Sequence, residues 1–169
     1  DNVVSSGNRR QGLSIDSAEN LLVTNSTFSK TAGVEPSAGI DLEPTWDFER
    51  LKNITIENVK IDANEGYGIQ MALGNLDDAS EPIGINIRDV AITNMVGDRG
   101  AILIDSQYFA KYLSDTTNTG VADDSLPNST INGSINVENV TISNAERINS
   151  GFAADNPRTY IVVQDIPGN

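Results

Sequence analysis

Two carboxylates on one short apolar strand, Asp41 and Glu43, are the residues best placed to do acid–base chemistry. The chain has no histidine and no cysteine. That excludes a Ser-His-Asp triad, thiolate nucleophiles, disulfides and the commonest general base. Residues two apart on a strand face the same side, with Cα atoms ~6.5–7 Å apart. Paired carboxyls roughly 6.5–9.5 Å apart can act as acid and base in inverting glycoside hydrolysis, because a water fits between them. Asp41 and Glu43 are therefore the candidate catalytic pair. The same acids also suit Ca²⁺, with Asp16, Glu43 and Asp105 as candidate ligands. A solvated acidic face with no ligand is the third alternative.

Other residues could hold a ligand beside these acids. Arg10 and Arg99 each lie two positions before a short strand, as does Arg158, and Arg9 sits next to Arg10. Arginine can grip sugar carboxylates or sulfates through two parallel bonds, or simply neutralise neighbouring acids. Gln70 falls in the same column as Asp41. Trp46 follows Glu43-Pro44 in a turn, where its ring could stack on a sugar or pack against the next coil.

The net charge is −13, from 24 acids and 11 bases. Such an excess disfavours nucleic acid and anionic membranes as partners. No apolar run reaches about 18 residues, the length that marks a membrane-spanning helix. The expected surroundings are extracellular, either secreted or at a cell surface.

These residues must be positioned by something, and the chain repeats itself. One pattern is a short strand after a small residue: Gly12-Leu13-Ser14-Ile15-Asp16, Gly39-Ile40-Asp41-Leu42-Glu43, Gly68-Ile69-Gln70-Met71-Ala72 and Ala101-Ile102-Leu103-Ile104-Asp105. Tyr160-Ile161-Val162-Val163-Gln164 is a degenerate fifth copy. Positions two and four are apolar in each, the period of a half-buried strand. The other pattern is longer and starts at Leu21, Ile54, Ile85 and Ile135. Its positions one, three and eight are apolar, and its fifth is Asn25, Asn58, Asp89 or Asn139. Asn and Asp tolerate left-handed backbone, so a turn belongs there.

The first-pattern copies start 27, 29 and 33 residues apart. Periods of this size mean a solenoid, propeller or array. Short strands with a recurring turn column fit a right-handed parallel β-helix of about five coils, all-β, in a single domain over 1–169. Coils that cannot bury an apolar face alone share a core when stacked. The Asn column is expected to point inward as a ladder. Asn25, Asn53, Asn128, Asn132 and Asn139 begin N-x-S/T sequons, and inward ladder residues would carry no sugar.

The rhythm fails over 106–133, which includes Tyr108, Phe109, Tyr112, Asp115, Asp123 and Asp124. It reads as a loop insertion. Aligned with the segment after Asn58, Asp1 falls in the turn column and Val4 at the position of Ile61. The chain therefore starts mid-coil, and a preceding segment or another chain is expected to cover that coil.

The stretch Asn8-Arg9-Arg10-Gln11-Gly12-Leu13-Ser14-Ile15, followed by Ala38-Gly39-Ile40-Asp41-Leu42-Glu43-Pro44, resembles segments of the right-handed parallel β-helix, or pectin-lyase-like, superfamily. With the repeats, the resemblance spans essentially the whole chain. It implies a polysaccharide substrate or ligand, in lyases, glycoside hydrolases, epimerases, tailspikes and adhesins. The Asp-Pro-His-Asp epimerase motif, the polygalacturonase histidine and an Arg-x-x-Lys-type lyase pair are missing here. Lys30, Lys52, Lys60 and Lys111 are not aligned with the acidic cluster. The expectation is a polysaccharide-cleaving glycosidase or lyase, with a noncatalytic glycan-binding or display module as the alternative.

Overall fold

A computed structural model describes residues 1–97, 99–105 and 131–145, and the backbone of 160–163. The described residues form β-strands and no helix. The strands are β1 (Val4–Ser6), β2 (Gln11–Ile15), β3 (Ala18–Thr24), β4 (Thr27–Ser29), β5 (Ala38–Leu42), β6 (Leu51–Asp62), β7 (Ile69–Ala72), β8 (Ile83–Thr93), β9 (Ile102–Asp105), β10 (Gly133–Ser143) and β11 (Tyr160–Val163). One sheet runs β1-β4-β6-β8-β10, with β3 also paired to β6, and the other runs β11-β9-β7-β5-β2. From β5 to β10, successive strands alternate between the sheets. All pairings are parallel except β11 with β9.

Register explains the apolar spacing. Leu13, Ile40, Ile69 and Ile102 are successive partners in the second sheet, as are Ile15, Leu42, Met71 and Ile104. In the first sheet Leu21, Ile54, Ile85 and Ile135 align, as do Phe28, Ile61, Ile92 and Ile142. Most of these side chains are fully buried and form one core. Burying each large aliphatic side chain contributes about 1.5–3 kcal/mol.

Glycine opens the first pattern because strands approach too closely for a side chain. A Cβ on Gly12 would lie 2.5 Å from the Gly39 carbonyl oxygen, and one on Gly39 would lie 2.7 Å from that of Gly68.

The structure corrects four expectations. Asn25, Asn58, Asp89 and Asn139 adopt the expected left-handed backbone, with φ between 50° and 53°. Their side chains, however, are exposed and do not point inward. The flanking Ile56 and Val59 take the interior at the Asn58 turn, which turns the polar residue to solvent. Asn25 donates to Asp1 at 3.0 Å and Asn139 donates to Asp89, both on the outside. Asn25 and Asn139 therefore do not lie inside, where sugar would be barred.

An asparagine outside that column, Asn64, does sit inside. It is fully buried, accepts from the Thr31 amide at 2.9 Å and donates to the Phe28 carbonyl at 3.3 Å.

At the start of the chain, Ser5 pairs with Phe28, which pairs with Ile61. Ser5, not Val4, takes the position of Ile61, and Asn2 (φ 56°), not Asp1, precedes it at the turn. A one-residue slip moves every side chain to the other face, and Val4 is 77% exposed.

Finally, β11 is antiparallel to β9, with Tyr160 opposite Asp105. It is not a fifth parallel copy of the first pattern. The expected insertion at 106–133, with its tyrosines, phenylalanine and acids, lies outside the described residues except at 131–133, as does Arg158.

Candidate functional site

The second sheet carries the candidate acids. Ser14, Asp41, Gln70 and Leu103 are successive partners on β2, β5, β7 and β9. Every residue of β5 is buried, and Asp41 has no exposed surface at all. Its column was expected to form an open acidic face, so Asp41 departs from that picture. Gln11 Nε2 donates to Asp41 Oδ2 at 3.0 Å. Asp41 Oδ1 finds no donor among the described residues.

Burial pushes the Asp41 carboxyl up to about 6 from an ordinary 3.8. The Gln11 bond works against that rise. The nearby Glu43 carboxyl adds to it, and the Arg10 charge opposes it. A second carboxylate nearby makes it harder for Asp41 to give up its proton, because like charges repel.

Glu43 is the solvent-facing partner, with 37% of its side chain exposed, and it lies 3.5 Å from Arg10. Arg10 Nε also donates to the Glu35 carbonyl at 3.0 Å. Arg99 Nη2 meets the Glu35 carboxylate at 2.6 Å. Arg10 and Arg99, far apart in sequence, are thus brought to the same turn by Glu35. Arg9 is exposed, and its carbonyl accepts from the Val34 amide at 2.9 Å.

Asp16 is exposed and accepts from Ser14 Oγ at 2.9 Å. Asp105 pairs with Ala72 on β7, a strand away from the β5 end that carries Glu43. Among the described residues no three acidic side chains come together as a cation site. Asp16, Glu43 and Asp105 are accordingly not gathered into one.

Trp46 stands out from the turn after β5 and stacks on Phe48, with ring centroids 6.3 Å apart and planes within 4°. Glu49 Oε2 accepts from the amides of Thr45 at 2.5 Å and Trp46 at 3.0 Å. Asn75 Nδ2 donates to the Pro44 carbonyl at 2.9 Å, and Ser80 Oγ donates to that of Asp47 at 2.7 Å.

Sequence reasoning missed Gln11 and Glu35. Glu35 could have been found as the acid preceding Pro36 in the turn that leads into β5. Gln11 carries no such signal, because its reach to Asp41 depends on the pairing of β2 with β5.

No protein-family model, curated protein or solved structure matches the chain. Among the described residues no helix is long and apolar enough to cross a membrane.

Proposed function

We propose that this chain is a right-handed parallel β-helix of the pectin-lyase-like kind, and a secreted carbohydrate-active protein that acts on a polysaccharide at the Asp41–Glu43 dyad. Two parallel sheets visited in alternation, with apolar columns in register, support the solenoid. The observation that carries the function is the asymmetry of the dyad. One carboxyl is buried, raised and short of a donor, while the other faces solvent beside an arginine. Pairs whose surroundings push them apart are the mark of acid–base assignments.

In this reading Glu43 meets the glycosidic oxygen and gives it a proton. Water adds its hydroxide to the anomeric carbon, and its remaining proton returns to the dyad. Asp41, whose raised carboxyl holds a proton, re-protonates Glu43. Arg10 orients Glu43 through their ion pair. Hydrolysis suits a dyad that holds a proton better than β-elimination does, because elimination begins with a base.

A second reading has its own support. Asp41 has no exposed surface, so no sugar atom touches it in this conformation. That favours a noncatalytic glycan-binding or display module, in which the dyad is structural.

One experiment separates the two. The protein is incubated with a panel of neutral and acidic polysaccharides, and new reducing ends are counted. The catalytic reading expects turnover that falls at least about 100-fold in Glu43→Gln with unchanged Tm. Full activity in Glu43→Gln would end the assignment. Saturable binding with no product from the wild-type protein would establish the binding module.

A further inference from the structure

Trp46 and Phe48 are 58% and 72% exposed, an expensive way to use two large aromatic side chains. Aromatic rings of this size are normally stabilised by burial. The turn prevents that. Pro44, Thr45, Trp46 and Asp47 are each tied through their own backbone to Glu49, Asn75 or Ser80. The Glu49 amide closes the turn by donating to the Trp46 carbonyl at 3.1 Å. The rings are therefore held outward on a fastened loop. A centroid distance of 6.3 Å with nearly parallel planes lies in the offset-stacked range of roughly 4.5–7 Å. Offset stacking leaves part of each ring face open.

We propose that Trp46 and Phe48 form a stacking platform for an uncharged polysaccharide. The proposal rests on the polysaccharide reading above and narrows it to neutral chains. Flat, open aromatic faces suit the C–H faces of sugar rings, which need apolar contact at a polar, wet surface. Charge selects among glycans. Glu43, Asp47 and Glu49 border the turn, and the whole chain carries −13, so a polyanion approaches against the field. Arg10, Arg50 and Arg99 are already paired, with Glu43, Glu19 and Glu35. The pair also explains why Phe48, which by itself is a liability at a surface, stands beside Trp46.

Trp46 is the chain's one tryptophan, so its emission reports the platform directly. The full chain is titrated with mixed-linkage β-glucan, xylan and galactomannan, and with polygalacturonate as the charged control. The expected result is a saturable blue shift with at least one neutral glycan and about tenfold weaker or no response to polygalacturonate. Phe48→Ala should weaken the neutral glycan about tenfold, equivalent to about 1.4 kcal/mol. Phe48→Tyr, which keeps the ring, should bind within about threefold of wild type, and circular dichroism should match in all three proteins.

The proposal is overturned if none of the three neutral glycans shifts the emission, if polygalacturonate binds as well, or if Phe48→Ala binds like wild type. Dilution that shifts the emission without glycan, with a dimer in sedimentation, would assign the rings to self-association and likewise overturn it. The catalytic reading is scored separately by reducing ends. Turnover that survives in Phe48→Ala with wild-type binding sinks the platform and spares the dyad. Binding by wild type and Glu43→Gln without turnover in either does the reverse.

Discussion

Gln11 Nε2 donates to Asp41 Oδ2 at 3.0 Å across the β2–β5 pairing, while the other Asp41 oxygen meets no donor among the described residues. A buried carboxylate held by one donor has lost more hydration than it regains. Burial therefore favours the protonated form, which is why the Asp41 carboxyl is raised to about 6.

The raised carboxyl makes stability depend on pH with an unusual sign. Native Asp41 holds its proton more tightly than the unfolded chain, whose carboxyl titrates near 3.8. Its contribution is therefore most favourable below about pH 4 and is lost as pH rises through about 6. The loss is on the order of 2–3 kcal/mol. Asp41→Asn removes the charge, so its Tm should exceed wild type at pH 7 and converge with it near pH 4. Thermal melts across this range check it, and a variant less stable than wild type at pH 7 contradicts the account.

Arg10 lowers the Asp41 carboxyl through its charge. Arg10→Ala should consequently move the Asp41 titration above about 6. Arg10→Lys should restore most of the wild-type midpoint. Carboxyl carbon NMR shifts followed against pH would report it, and an unmoved midpoint in Arg10→Ala would show that the pair with Glu43 is too screened to matter.

Asp62 behaves oppositely. Thr93 Oγ1 donates to it at 2.6 Å and Asn94 Nδ2 at 2.9 Å, and these bonds hold its carboxyl below the usual range. Such a group stabilises the fold above its unfolded value and loses that contribution as pH falls through the native one. The group is partly exposed, so screening keeps the effect small. Asp62→Asn should lower Tm slightly at pH 7, with the difference shrinking as pH falls below the ordinary carboxylate range. Equal Tm values at pH 7 would show that the two bonds contribute nothing net.

Gly39 and Gly84 make a matched pair of tests. A Cβ at Gly39 would sit 2.7 Å from the Gly68 carbonyl oxygen and 2.8 Å from Ile61 Cγ2, whereas one at Gly84 would meet the Asn53 amide at 3.3 Å. Gly39→Ala should cost about 1–3 kcal/mol by forcing strands apart, and Gly84→Ala well under half of that. Chemical denaturation measures both, and equal losses would show that the sheets yield more readily than this packing implies.

Much of this was open to reading from residue order. The alternation in Gly39-Ile40-Asp41-Leu42 can be satisfied only by a strand with one apolar face, and these residues form β5. The left-handed turns at Asn25, Asn58, Asp89 and Asn139 were likewise readable, because few other residues accept positive φ. The direction of those side chains was not, since an Asn at such a turn can face either way until its neighbours claim the core. The Tyr160–Val163 strand shows a similar limit. Its alternation is the same whether it runs parallel or antiparallel to β9, and the register alone makes it antiparallel.

For the site, the sequence by itself determined the inventory. Without histidine or cysteine, Asp41 and Glu43 had to be the candidate acids, and their two-residue spacing put them on one side of a strand. Tertiary structure decided their character. Pairing of β2 with β5 brings Gln11 onto Asp41, burial removes water from it, and the Glu35 turn gathers Arg10 and Arg99. Solvation and long-range contact set these properties, and both depend on which residues meet from distant parts of the chain, which local order does not encode.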